Sequence, residues 1–218
     1  MIEFPILSML IFLPAAGALL VTLVPRSRPE LAKLTAVIAS VATGAMSVWL
    51  LVEFDQHDAG FQFTSLHPWI ERWGISWHLG VDGISLFLVV LTGVLFPMSI
   101  LGIDPHNADP RQDKPYFAWL LLLETGVMGS FISLDLFLFF VMFEIVLVPM
   151  YFLIGGWGYE NRVYAATKFF LYTMLGSAFM LVSIIATAFI ASRNGVDHIS
   201  FDLLEIAEHA EFAASTGR

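Results

Sequence analysis

The sequence predicts an all-α, polytopic transmembrane helical bundle of about six helices. Three observations support this fold class. The 218 residues are 58% hydrophobic and only 13% charged, and the mean hydropathy is +0.80. The apolar residues form runs long enough to cross about 30 Å of hydrocarbon at about 1.5 Å per residue. Finally, the basic residues are concentrated in alternate connections between these runs, as is typical of multi-pass membrane proteins.

Six apolar runs are the candidate membrane spans. They cover approximately residues 4–24, 34–52, 83–103, 116–134, 135–157 and 164–192. The fourth and fifth runs are separated only by the stretch SLDL, which predicts a tight antiparallel hairpin of helices. The sixth run is longer than one straight span requires. We therefore expect residues 1–192 to form one transmembrane bundle.

The distribution of basic residues predicts the orientation of the bundle. The connections after the first, third and fifth spans carry most of the Lys and Arg side chains: Arg26, Arg28, Lys33, Arg111, Lys114, Arg162 and Lys168. The other side carries Arg72, Arg193 and Arg218. Because positively charged connections stay in the cytoplasm, we expect the N-terminus of this multi-pass protein to lie outside.

Two stretches outside the spans have a distinct composition. Residues 63–82 contain Trp69, Trp73 and Trp77, and this density of tryptophan predicts a segment in the membrane interface. Residues 193–218 are acidic and predict an extracytoplasmic tail or connector that contains a short amphipathic helix. Its negative charge gives this tail no attraction to anionic lipid, so a protein contact or a solvated connector is expected.

Composition and motifs exclude several classes of function. The net charge of −9 argues against binding to nucleic acid. The absence of cysteine excludes disulfides, thiolate metal sites and protein-held iron–sulfur clusters from these residues. All six histidines are predicted to lie in loops, which leaves no axial haem ligands inside the bundle: His57, His67, His78, His106, His198 and His209. We therefore expect no metal, cofactor or redox centre in this chain.

One acid interrupts the fifth span. The stretch LFLFFVMFEIVLVPMYFLI places Glu144 close to the bilayer midplane, where an acid costs about 3 kcal/mol on insertion scales. Pro149 has no N–H to donate to the carbonyl of Ile145, so a backbone acceptor is left free beside the acid. Two interpretations remain open for Glu144: a proton-relay residue, or a protonated acid that hydrogen-bonds neighbouring helices.

Two further residues are weaker relay candidates. Lys168 lies near the cytoplasmic end of the sixth span, more than ~10 Å in depth from Glu144, where its amine can reach the interface. Glu124 lies about as many residues before the SLDL turn as Glu144 lies after it. The hairpin therefore brings both carboxyl groups to the same depth in the membrane. If the two helix faces meet, the protonation of one acid would be coupled to that of the other. Small residues in these spans predict close helix packing: Gly126, Gly129, Ser130, Gly176 and Ser177.

Three blocks of sequence identify a family resemblance. The stretches GVDGISLFLVVLT, SLDLFLFFVMFEIVLVPMYFLIGGWG and RVYAATKFFLYTMLGS resemble the antiporter-like membrane subunits, of the M or ND4 type, of proton-pumping NADH:quinone oxidoreductase (respiratory complex I). The resemblance extends from about residue 80 to about residue 180. It implies that Glu144 is a proton-translocation residue and that Lys168 lies at the cytoplasmic side of the same half-channel. Glu124 matches no motif of that family.

The resemblance also implies the protein's surroundings. NADH, FMN, iron–sulfur clusters and quinone would be held by partner subunits, and the other membrane subunits of complex I would be neighbours in the bacterial inner membrane. Members of this family continue to about fourteen helices, with a lysine on the seventh helix that completes the relay. The resemblance therefore implies that these residues are the N-terminal portion of such a subunit and do not pump alone.

Two alternative functions remain open at this point. One is a subunit of a multisubunit Na⁺/H⁺ antiporter, which shares the fold and the Glu/Lys chemistry of the family. The other is a non-pumping structural membrane subunit in which Glu144 only connects helices.

Overall fold

A computed structural model of the chain describes residues 5–25, 28–58, 60–102, 110–193 and 198–208. In chain order its elements are α1 (Ile6–Leu23), α2 (Pro29–Glu53), β1 (Gln62–Ile70), β2 (Ile75–Val81), α3 (Gly83–Leu101), α4 (Pro110–Ile132), α5 (Leu136–Trp157), α6 (Arg162–Arg193) and α7 (Leu203–Glu208). A single 3₁₀ turn, Glu71–Trp73, joins the two strands.

The six helices α1 to α6 are each long and apolar enough to span a membrane, so the predicted six-helix bundle is confirmed in the described part of the chain. Helices α2 and α4 begin earlier than their apolar runs, at Pro29 and Pro110, because their first turns are polar. Helix α6 has 32 residues, which makes it about 48 Å long. It therefore exceeds the thickness of the hydrocarbon layer, as its long apolar run predicted.

Helix α4 is the centre of the bundle. It packs against α1, α2, α3 and α5, whereas α6 packs along α5 at the edge. One apolar cluster lies at the end of the bundle that carries the strands, around Leu10, Leu79 and Leu138. A second cluster lies towards the opposite end, around Ile100 and Phe117. Because α6 contacts little besides α5, most of its apolar side chains are exposed.

Helices α4 and α5 form the tight hairpin that the SLDL stretch predicted, with only residues 133–135 between them. They approach closely at two glycines. A Cβ atom on Gly126 would lie 3.0 Å from the backbone nitrogen of Val146, and one on Gly129 would lie 2.5 Å from the sulfur of Met142. Gly176 differs, because a Cβ atom there would meet nothing described within 4 Å. The close packing expected at Gly176 is therefore wrong.

The interfacial stretch folds as an antiparallel β-hairpin, which the sequence analysis missed. Gly74 ends the turn with a φ of 66°, and a side chain there would also overlap the carbonyl oxygen of Ile199. His67 and His78 lie on the two strands rather than in loops. The loop prediction is therefore wrong for these two histidines, although both lie outside the spans; His106 and His209 fall outside the described residues.

Residues 198–208 dock on this hairpin and on the α4–α5 turn. The carboxylate of Asp202 lies 2.5 Å from Nδ1 of His78 and also accepts the backbone N–H groups of Leu204 and Glu205 at the start of α7. Burial raises the pKa of Asp202, but the hydrogen bond and charge of His78 and the two backbone donors together hold that pKa below its usual value. The segment is thus fixed by a partly buried histidine–aspartate contact and not only by its apolar residues.

Two lysines hold the opposite end of the bundle. Lys33 on α2 donates to the carbonyl oxygen of Leu101 at the end of α3, 3.3 Å away, and Lys114 on α4 donates to the carbonyl oxygen of Val24 at the end of α1. Both amines therefore satisfy carbonyls that a helix C-terminus leaves free, and their charge opposes the negative end of the helix dipole. The basic connections thus share one end of the bundle.

Candidate functional site

Glu144 is the central residue of the candidate site. It lies in the middle of α5, eight residues after the helix begins at Leu136. Its side chain is partly buried, and its Oε1 atom is fully buried with no hydrogen-bond partner among the described residues. An unpartnered acid oxygen inside a membrane helix is costly. The site therefore needs a donor that this part of the chain, in this conformation, does not supply.

The direction of Glu144 follows from the α5 residues that contact its two neighbouring helices. Met142 and Val146 face the glycines of α4. Glu144 lies two residues from each of them, and two residues turn an α-helix by about 200°. Glu144 therefore points away from α4.

The face of α5 that carries Glu144 is the one that packs on α6. Tyr151 and Phe140 lie on the same side of α5 as Glu144. Tyr151 contacts Phe170 of α6, with ring centroids 5.4 Å apart, and Phe140 packs in an apolar cluster with Ile184 of α6. Glu144 thus faces the α5–α6 contact.

Glu124 occupies a different environment. It is 0% exposed, and its Oε1 atom accepts a hydrogen bond of 3.1 Å from the hydroxyl of Ser40 on α2. Its Oε2 atom is buried without a partner among the described residues. Two other fully buried hydroxyl residues, Thr43 and Ser47, follow Ser40 along α2. Glu124 is therefore enclosed between α4 and α2, inside the bundle.

The two acids share a depth but not a face. Gly126 of α4 lies opposite Met142 and Val146 of α5, so the depth of Glu124 differs from that of Glu144 by about 3 Å. Each acid, however, points away from the α4–α5 contact, Glu124 towards α2 and Glu144 towards α6. The condition for direct coupling, that the two faces meet, is therefore not fulfilled.

Lys168 lies apart from both acids. It is exposed on α6, with its amine 5.9 Å from the ring centroids of Tyr164 and Tyr172, one turn away on either side. Ala166 contacts α5, and Lys168 lies two residues further along α6. Because two residues turn a helix by about 200°, Lys168 points to the side of α6 that is opposite the α5 contact. The structure thus brings none of the three sequence-predicted residues together.

Several polar residues that the fold uses were not predicted from the sequence. Ser40 was overlooked, although Ser40, Thr43 and Ser47 repeat at helical spacing on one side of an apolar run, which is a detectable pattern. Asp135 is 0% exposed; it caps α5 through the backbone N–H groups of Phe137 and Leu138 and also accepts two hydrogen bonds from Ser76. Asp135 stands directly before an apolar run in the sequence, and this position could have predicted a helix N-cap.

These features define a class of protein: a polytopic membrane protein with a half-buried acid in mid-span and a β-hairpin at one end. Residues 133–215 match the family model described as NADH:quinone oxidoreductase/Mrp antiporter, TM. This match begins at the α4–α5 turn, so it includes both Glu144 and Lys168.

Similar proteins cover nearly the whole chain. NADH-quinone oxidoreductase subunit M of Rickettsia bellii (strain RML369-C) is 40% identical over 213 residues, which is 95% of this chain and 41% of the relative. NADH-ubiquinone oxidoreductase chain 4 of Arabidopsis thaliana is 41% identical over 188 residues, 84% of this chain and 37% of the relative. The chain thus spans about two fifths of the length of these relatives. Over nearly its whole length, the chain is therefore similar to subunits of the M (ND4) type.

Solved structures share the fold. A chain of respiratory complex I from Thermus thermophilus with bound NADH superposes with a TM-score of 0.74 at 23% identity, covering 93% of this chain and 39% of that chain. A chain of the Mrp complex from Dietzia sp. DQ12-45-1b superposes with a TM-score of 0.67 at 15% identity, covering 92% of this chain and 20% of that chain. The helical bundle is therefore the antiporter-like fold.

Proposed function

We propose that this chain is part of a proton-translocating membrane subunit of NADH:quinone oxidoreductase and that Glu144 binds and releases the translocated proton. The observation that carries the proposal is the carboxyl group of Glu144, which lies in mid-span with a buried oxygen that has no partner among the described residues. The relatives at about 40% identity, which are named as subunits of that enzyme, support the same function.

The proposed mechanism is an electrostatic switch. A positive charge that approaches Glu144 stabilises its ionised form, and removal of that charge favours uptake of a proton. NADH oxidation and quinone reduction would take place in partner subunits that hold FMN, iron–sulfur clusters and quinone. This chain would contribute the membrane path and would contact other membrane subunits of the complex.

The other two candidates have secondary roles in this proposal. Lys168 lies about 14 Å in depth from Glu144 along α6, so it would act near the proposed cytoplasmic entrance through intervening groups. Glu124 would be a separate protonatable group inside the bundle. We further propose that residues 1–192 form the bundle in the bacterial inner membrane with the N-terminus outside, and that residues 193–218 form an acidic extracytoplasmic tail or connector.

The test uses the full-length protein assembled in its complex. NADH-driven acidification of inverted membrane vesicles and quinone reduction are followed together in wild type and Glu144→Gln. We expect both to be lost in Glu144→Gln while the complex still assembles, because the amide cannot carry the proton. Glu160→Gln is the matched control, since Glu160 is exposed in the α5–α6 connection, and it should behave as wild type.

The opposite result would also be informative. Unchanged pumping in Glu144→Gln would overturn the proposal and leave Glu144 as a hydrogen-bonding group of a structural subunit. An Na⁺/H⁺ antiporter subunit remains the second candidate because of the shared fold, but relatives at about 40% identity are named for the oxidoreductase.

A further inference from the structure

The register of α5 against α6 identifies the α6 residue that lies opposite Glu144. Gly155 packs at Ala166, where a Cβ atom on the glycine would lie 3.4 Å from that of the alanine, and Tyr151 packs on Phe170. The two helices are therefore antiparallel, and a step of four residues towards the start of α5 matches a step of four residues towards the end of α6. Seven further residues on each helix bring Glu144 opposite Ser177.

An apolar cluster on the far side of Glu144 agrees with this register. Phe137 and Phe140 of α5 share an apolar cluster with Met180 and Ile184 of α6. Ser177 lies between these contacts and those of Tyr151. Ser177 is therefore placed opposite Glu144 by the two pairwise contacts, and the cluster continues the α5–α6 contact beyond it.

Ser177 also lies on the correct face of α6. The α6 residues that contact or cluster with α5 are Ala166, Phe170, Met180, Ile184, Ala188 and Ala191. At about 100° per residue they occupy one stripe of the helix about 80° wide, and position 177 falls within that stripe. Ser177 is only 5% exposed, although most of α6 is exposed. Its hydroxyl is thus held at the helix contact.

The hydroxyl of Ser177 is already a donor with two possible acceptors. In this conformation it donates to the carbonyl oxygen of Met174 on its own helix, 3.1 Å away. That carbonyl already belongs to the helix ladder, so the serine bond to it is replaceable. The buried Oε1 of Glu144 on the facing helix has no donor among the described residues.

We propose that Ser177 is a positioning residue for the proton of Glu144: its hydroxyl turns from the carbonyl of Met174 to Oε1 of Glu144 and fixes the carboxyl group at the α5–α6 contact. This proposal rests on the proposed function of Glu144. It also rests on the register set by the Gly155–Ala166 and Tyr151–Phe170 contacts, which places the two residues at the same depth on facing helices.

Infrared difference spectroscopy of the assembled, full-length complex tests the proposal. The C=O stretching band of protonated Glu144 is assigned by its disappearance in Glu144→Gln. Ser177→Ala should move this band to higher wavenumber, because a carbonyl that loses a hydrogen bond stretches at higher frequency. Ser177→Thr keeps a hydroxyl and should restore the band position. Ser183→Ala is the control: Ser183 makes a similar bond to the carbonyl of Phe179 but is exposed.

Each outcome has a definite meaning. A band that stays in place in Ser177→Ala would overturn the role of Ser177 while leaving that of Glu144 intact. Absence of any band that depends on Glu144 would overturn the proposed function and this inference together. If Ser177→Ala does not assemble, Ser177→Val is compared with Ser177→Thr, because valine and threonine have nearly equal side-chain volumes. Only a difference in the position of the Glu144 band between these two variants then supports the proposal.

Discussion

At the scale of single residues, the structure separates the two membrane acids by what surrounds them. Glu124 is fully enclosed and receives a hydrogen bond from Ser40. Glu144 is partly buried and faces a helix at the edge of the bundle. An enclosed acid with a fixed donor is suited to joining helices. An acid near an edge is better placed to exchange a proton with groups outside the described bundle.

The bond between Ser40 and Glu124 gives a prediction about stability. Ser40→Ala leaves both oxygens of the buried Glu124 without a described partner, so we expect the free energy of unfolding to fall by about 1–3 kcal/mol. Ser99→Ala is the matched control, because Ser99 is exposed and bonds only a carbonyl of its own helix; its effect should stay within ~0.5 kcal/mol. Equal effects of the two variants in bilayer-mimetic unfolding would contradict the assigned bond.

Glycines at the α4–α5 contact give a prediction at the scale of whole elements. Gly126→Ala places a methyl group against the backbone of Val146, which cannot move without moving α5. We expect a loss of about 1–3 kcal/mol of stability from this overpacking. Gly129→Ala should cost less, because its closest neighbour is the flexible side chain of Met142.

The same series contains its own control. Gly176→Ala meets nothing described within 4 Å, and alanine is the better helix former by about 1 kcal/mol. Thermal unfolding of the full-length protein in detergent should therefore rank Gly176→Ala as the most stable variant and Gly126→Ala as the least. A destabilised Gly176→Ala variant would show that another helix covers this face of α6.

The docking of residues 198–208 gives a prediction about pH. The folded-state pKa of Asp202 is lowered, so the contacts of its carboxylate with His78 and the α7 backbone add stability above the unfolded pKa of about 3.9. That contribution is lost as the pH falls below this value and through the lowered pKa. Hydrogen exchange of the α7 amides, corrected for its intrinsic pH dependence, should accelerate below about pH 4.

Asp202→Asn provides the comparison for this pH effect. Its α7 amides should already exchange faster at neutral pH, and the acid-induced step should disappear. An acid-induced step of the same size in Asp202→Asn would assign the titration to another group.

For the whole molecule, the predicted orientation is directly testable because the chain contains no cysteine. Asp58 and Tyr159 are exposed at opposite ends of the bundle, before the β-hairpin and after α5. The variant Asp58→Cys should react with a membrane-impermeant maleimide in intact cells. The variant Tyr159→Cys should react only in inverted vesicles, and the reverse pattern would place the N-terminus in the cytoplasm.

Much of the fold follows from local sequence. The six helices, the tight α4–α5 turn and the central position of Glu144 are set by the lengths of the apolar runs and by the four residues SLDL, which act within one segment or between neighbours. The β-hairpin could not be read in the same way. Its strands are held by pairing and by docking of residues 198–208, which lie more than a hundred positions away along the chain.

The sequence by itself determined the number of spans and the depth of Glu144 and Glu124, because these depend on hydrophobicity and residue counts along the chain. Its motifs also carried the family resemblance. Only the tertiary structure decided which way each acid points. That direction depends on which faces of α4 and α5 meet, and the meeting faces are selected by the close approach at Gly126 and Gly129. The same packing directs Glu124 to Ser40 and Glu144 to α6. The two acids, for which the sequence predicts the same depth in the membrane, therefore occupy separate sites in the fold.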